Sequence, residues 1–109
     1  MLYWHCKVIL LYKIIMKVEE NIYLAKLFDA YGALLSEGQQ KIMTFYLNYD
    51  YTITEIAENL NVSRQAIMDS ISKADKKLHG FENKLQLVKK IEILNEENQK
   101  LKQKLSLKE

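Results

Sequence analysis

Arg64 and Gln65 stand side by side directly after Ser63, and their side chains are suited to reading the edges of bases. A guanidinium meets guanine with two parallel hydrogen bonds and a carboxamide does the same with adenine, while the amides beside a helix-capping serine can hold a phosphate. On a helix, Met68, Asp69, Ser72 and Lys73 would share that face. The candidate nucleic-acid-binding set is therefore Ser63, Arg64, Gln65, Met68, Asp69, Ser72 and Lys73. Asp69 opposes phosphate contact unless it accepts a hydrogen bond from a cytosine amine or pairs with a neighbouring lysine.

Such side chains reach a groove only if their helix is held firmly, and the run from Thr52 to Leu78 supplies the support expected of a helix-turn-helix. Thr52 precedes Glu55 by three residues, the spacing of a capping box, and Ser63 caps a second helix in the same way. Ile56, Ala57, Leu60 and Val62 provide an apolar face between the caps. Asn61 tolerates the left-handed backbone of a tight turn, and Ala57 is small where two steeply crossed helices would approach most closely. Ile67, Ile71, Ala74 and Leu78, at steps of four, three and four, give the second helix its buried stripe.

Upstream, Ile22, Leu24, Leu27, Phe28, Tyr31, Leu34 and Leu35 recur at helical spacing, which predicts an amphipathic helix over 18–35. Ser36 to Gln39 combines a capping box with a breaking glycine and starts another helix, burying Ile42, Met43, Tyr46 and Leu47 and ending near 48–51. Seven tyrosines occur in the chain. Tyr46, Tyr49 and Tyr51 could stack on bases, but aromatics at this spacing read first as core. With no proline, three glycines and no run of alternating β-branched residues, nothing favours strands. An all-α fold follows: a small helical domain carrying a sigma-factor-like helix-turn-helix, with a C-terminal helical extension.

At 109 residues there is room for one small core and an extension. Sixteen basic residues against fourteen acidic ones leave a net charge of +2, and residues 51–80 hold four of each sign. A neutral unit gains little from phosphate neutralisation unless its charges segregate. Residues 81–109 add seven lysines against five glutamates, which with Lys73, Lys76 and Lys77 would make a modest basic edge or simply a solvated surface. Arg64 is the sole arginine beside fifteen lysines.

Residues 1–15 read as foreign to the domain. They are too short to span a bilayer and are interrupted by Lys7 and Lys13, and they lack the layout of a signal peptide. The run K-V-E-E-N after Met16 resembles a natural start. The expectation is a mis-assigned extension at 1–15, in preference to a membrane-surface helix, and peptide mass spectrometry covering Trp4 and Cys6 tests it. The expected organisation is then an extension at 1–15, a helix-turn-helix domain at 16–80 and a C-terminal helix at 81–109.

Catalysis has little to stand on. His5 and Cys6 are isolated, His79 has no partner at metal-ligand spacing, and no glycine-rich phosphate loop occurs. The reading is a non-enzyme without metal or cofactor, and its one cysteine suits a reducing cytoplasm. The tail offers a second kind of site. With Ile91, Asn98 and Leu105 at positions a, and Leu87, Leu94 and Leu101 at positions d, it forms a short zipper bounded by Lys84 and Lys108. Asn98 at a buried a position favours a two-stranded, in-register pair, and Glu97 would face Lys102 of a parallel partner. A homodimer is expected; the alternative is a helix folded back on its own domain.

The run from Leu34 to Lys73 resembles the bacterial YlxM family of helix-turn-helix proteins. The match rests on Gln39 or Gln40, Tyr46 and Asp50, on Glu55-Ile56-Ala57-Glu58, on Val62-Ser63-Arg64-Gln65-Ala66 and on Asp69. The likeness spans roughly residues 22–87, and Glu55-Ile56-Ala57 alone is also similar to the DNA-binding region of sigma factors, which keeps a sigma-factor-like transcriptional regulator as an alternative function. Met68 stands where the family tends to an aromatic, Ser72-Lys73 where it tends to Lys-Arg, and Gly38 in place of a basic residue. The resemblance implies a regulatory role linked to the signal recognition particle pathway, because the family is named for its gene neighbourhood beside that particle's GTPase and its receptor. Three partners follow as expectations: DNA, the particle's RNA, or the targeting GTPase itself. No membrane insertion is expected.

Overall fold

A computed structural model describes residues 2–108. Among these residues it has five α-helices and no strand: α1 Leu2–Tyr31, α2 Glu37–Met43, α3 Ile53–Leu60, α4 Arg64–Leu85 and α5 Leu87–Lys108. A 3-10 turn, Gly32–Leu34, ends α1, and a π-helical turn, Thr44–Asn48, ends α2.

Each short helix begins where a side chain satisfies its orphan amides. Ser36 Oγ accepts from the Gln39 amide and Gln39 Oε1 accepts from the Ser36 amide, both at 3.3 Å, so the box at α2 is complete. Thr52 Oγ1 accepts from the Glu55 amide at 3.1 Å, but Glu55 Oε1 accepts from the Thr52 hydroxyl instead of from the Thr52 amide, leaving half of the expected box. Ser63 Oγ accepts from the Ala66 amide at 3.1 Å. Gln40 closes the preceding turn, its side-chain Nε2 donating to the carbonyls of Leu35 and Ala33.

Two apolar clusters form the core. Leu24, Leu27, Tyr31, Leu35 and Met43 bury against Ala74, Leu78 and Val88. Ile56, Ala57 and Ile67 form the second cluster, backed by Ile42, Phe45, Leu60 and others. Ile71 packs against both clusters and joins them. The α4 stripe is thus buried as its spacing requires, and burying a residue such as Ile67 contributes about 2–3 kcal/mol.

The structure corrects several expectations. Ile22 and Leu34 are exposed, because Ile22 lies on the face of α1 opposite the buried Leu24 and Tyr31 and the 3-10 turn rotates the chain at the other end. Val62 is also exposed: it follows the left-handed Asn61, whose φ of 55° swings the chain outward. Tyr49 is 60% exposed, since the π-helical turn shifts helical phase before it. Phe45 and Tyr51 stack at 5.3 Å with Tyr49 leaning on both, while Tyr46 is half-buried.

The expected helix over 18–35 is longer upstream and shorter downstream. It runs without a break from Leu2, and every described side chain from Trp4 to Glu20 is exposed. No helix among the described residues is long and apolar enough to cross a membrane. The helix expected over 81–109 is divided: α4 continues to Leu85, Gln86 adopts a left-handed φ of 53°, and α5 sets off in a new direction.

Candidate nucleic-acid interface

The helix-turn-helix is α3, a turn at Asn61–Ser63, and α4. Asn61 carries the left-handed joint, with the Val62 amide donating to the Ala57 carbonyl at 3.0 Å. These bonds tie off the last carbonyls of α3 within the turn itself. Ala57, buried under α4, permits the close crossing.

With the stripe of α4 held inward, its opposite side faces water. Ser63, Arg64, Gln65, Met68, Asp69, Ser72 and Lys73 are all exposed, so the fold brings the entire sequence-derived set to one accessible face. Ser63 occupies the N-cap, which leaves the first-turn amides of α4 directed outward. Asp69 has a partner that the sequence reading did not assign: Gln65 Nε2 donates to Asp69 Oδ1 at 2.9 Å. The neighbouring lysines divide their roles. Lys77 donates to Gln39 Oε1 at 3.3 Å across to α2, while Lys73 and Lys76 stand exposed on α4. On α3 the exposed side carries Glu55 and Glu58, which with Tyr51 and Asn59 line a shallow groove of about 330 Å³. The first helix of the motif is therefore acidic where the second carries Arg64.

The zipper residues lie on α5. Leu87, Ile91, Leu94, Asn98, Leu101 and Leu105 are all exposed in the single chain, whereas Val88 turns inward to the core. Lys84, expected to bound the seam, belongs to the last turn of α4. Only the first turns of α5 touch the domain, through Val88 and the ion pair Lys26–Glu92 at 3.1 Å. Between α1 and α5 lies a groove of about 370 Å³, lined by Lys26, Ala30, Val88, Ile91 and Asn95 among others.

One polar site escaped the sequence reading. Glu82 is buried and gathers three donors: the Tyr31 hydroxyl at 2.6 Å, the Val88 amide at 3.1 Å and the Lys89 amide at 3.3 Å. Tyr31 Oη in turn accepts from the Leu87 amide at 3.0 Å. Burial disfavours the Glu82 charge, but the hydrogen bonds from Tyr31, Val88 and Lys89 outweigh it and hold the carboxyl below its ordinary value. Burial and the bond to Glu82 push the Tyr31 phenol up. The signal was present in the spacing: Ile67, Ile71, Ala74 and Leu78 lead by four to Glu82, a carboxylate in apolar register.

The family model described as "Putative helix-turn-helix protein, YlxM / p13 like" matches residues 18–109. The chain belongs to this family, UPF0122. Among UPF0122 proteins it is 43% identical over 88 residues to one of Clostridium acetobutylicum, covering 81% of this chain and 76% of that relative. A UPF0122 protein of Halalkalibacterium halodurans is 40% identical over 86 residues, 79% of each chain. One of Caldanaerobacter subterraneus is 36% identical over 85 residues, covering 78% of this chain and 73% of the relative. The matched UPF0122 region takes in the helix-turn-helix, the Tyr31–Glu82 site and α5.

Proposed function

We propose that this chain is a non-catalytic cytoplasmic regulator of the signal recognition particle pathway that binds nucleic acid through the first three turns of α4. The observation that carries the reading is the outward face from Ser63 to Lys73, seven exposed side chains on a capped helix anchored by the buried Ile67, Ala74 and Leu78. Arg64 and Gln65 occupy the first turn, where a recognition helix meets base edges. The pathway link rests on the resemblance to YlxM proteins. Homodimerisation through Leu87, Ile91, Leu94, Asn98, Leu101 and Leu105 belongs to the same proposal, since two copies would bring two such faces to one ligand.

A salt titration against duplex DNA and against the particle's RNA tests the reading. Arg64→Ala is expected to weaken binding about tenfold, and Lys73→Ala to lower the salt slope by about one. Binding that ignores both changes would reject α4 as the interface. The acidic groove of Glu55 and Glu58 favours a second reading, a protein-interaction module that modulates the targeting GTPase without touching nucleic acid. In that case the purified protein changes GTP turnover, and Arg64→Ala leaves the change intact.

A further inference from the structure

The hydrogen bond between Gln65 and Asp69 removes an ambiguity that a carboxamide normally has. Free to flip, a glutamine side chain can offer its oxygen or its nitrogen to either side. A carboxylate only accepts, so the 2.9 Å contact obliges the amide nitrogen to face Asp69 and turns Oε1 away from it. One N–H of that nitrogen is used by Asp69; the other stays beside Oε1 as a donor-acceptor pair. Adenine presents the complement in the major groove, N7 as acceptor beside the N6 amine as donor. Guanine presents two acceptors, O6 and N7, and its O6 would oppose Oε1. Met68, next in chain to Asp69 and about half exposed, adds apolar surface suited to a thymine methyl.

We propose that Asp69 is a positioning residue that locks Gln65 for adenine, so that this face selects an A·T pair in duplex DNA. The inference rests on the nucleic-acid reading of α4 given above. It also gives a purpose to an acidic residue that otherwise only repels phosphates.

The test uses the full chain and a duplex pool randomised over its central positions, followed by titration of the selected duplex and its single A·T to G·C variants. Wild-type protein is expected to prefer A·T at one position by at least about fivefold. Gln65→Ala removes that preference. Asp69→Ala also removes it while raising affinity for every duplex, because an anion has gone from the interface. Asp69→Asn, which keeps an acceptor oxygen, retains part of the preference. If Asp69→Ala strengthens all duplexes equally and leaves the preference intact, Asp69 is only a repulsive charge and the inference is wrong. A selected duplex with no position sensitive to Gln65 likewise overturns it, while leaving the nucleic-acid reading standing. Failure to select any duplex, with helicity and thermal unfolding unchanged among the variants, removes both.

Discussion

Glu82 shows how much one side chain can organise. Its carboxylate caps α5 from inside the domain, accepting from Val88 and Lys89, while Tyr31 bridges it to the Leu87 amide. A cap of this kind contributes about 1 kcal/mol, so Glu82→Gln should lower the unfolding midpoint at neutral pH by several degrees. The pH dependence has a definite sign. The folded carboxyl titrates below its ordinary value of 4.5, so its contribution is complete above that pH and is lost as pH falls through the lower folded value. Thermal unfolding from pH 7 downward should show the wild-type advantage over Glu82→Gln held constant to about pH 5 and closing in more acid solution. An advantage that grows on acidification would mean the carboxylate is not the stabilising form. Ser36, Thr52 and Ser63 were legible in the sequence because a cap bonds to amides only a few residues away. For Glu82 only the apolar register was legible and its capping role was not, because two of its partners are set by a turn at Gln86 and the third lies 51 residues upstream.

Among the described residues three joints between elements carry a left-handed residue, Asp50, Asn61 and Gln86, none of which is glycine. Asparagine favours that conformation through its short polar side chain, and for that reason the turn between α3 and α4 could be read in advance. Glutamine has no such preference, and the sequence around Gln86 holds neither glycine nor proline, so the end of α4 was invisible. The fold imposes the joint there through the bonds that Glu82 and Tyr31 make to α5. Opposite outcomes are therefore expected at the two joints. Gln86→Gly relieves the left-handed backbone and should raise stability by up to about 1 kcal/mol. Asn61→Val, exposed and without core contacts, should lower it by about 1–2 kcal/mol. Denaturant midpoints compare the two, and a loss at Gln86→Gly would refute the idea that this joint is strained. The π-helical turn is a further place where periodicity misled: the phase shift it introduces carries Tyr49 from the core face to water.

At the scale of the molecule the chain is open. Its radius of gyration is 18.6 Å, against roughly 13 Å for a compact chain of this length. The difference comes from α1 and α5, both of which leave the core as arms. The seam on α5 is apolar and exposed, with Leu94 and Leu101 at 58% and 57%. Under the proposed dimer, and because neither residue packs against the monomer's core, Leu94→Asp with Leu101→Asp should abolish self-association in sedimentation while leaving the thermal midpoint of the dilute protein within about 1–2 °C. A dimer that survives the pair of substitutions would place the interface elsewhere. The site proposed for nucleic acid was readable from sequence since its members are neighbours on one helix; the openness was not, since the direction of each arm depends on contacts between segments distant in sequence.

The convergence of Tyr31, Glu82 and the start of α5 also has a meaning in time. During synthesis α5 emerges after α1 and α4, and the acceptors for its first amides come from the end of α1 and the end of α4. Glu82 stands on α4 a few residues before the amides it accepts, whereas the Tyr31 hydroxyl and Lys26 reach Leu87 and Glu92 only when α1 packs against the domain. The full set of bonds that direct α5 therefore requires α1 and α4 to be packed together. A chain in which α1 has not packed would lack the Tyr31 bridge and the Lys26–Glu92 pair that direct the tail, so the dimer proposed above would depend on that packing.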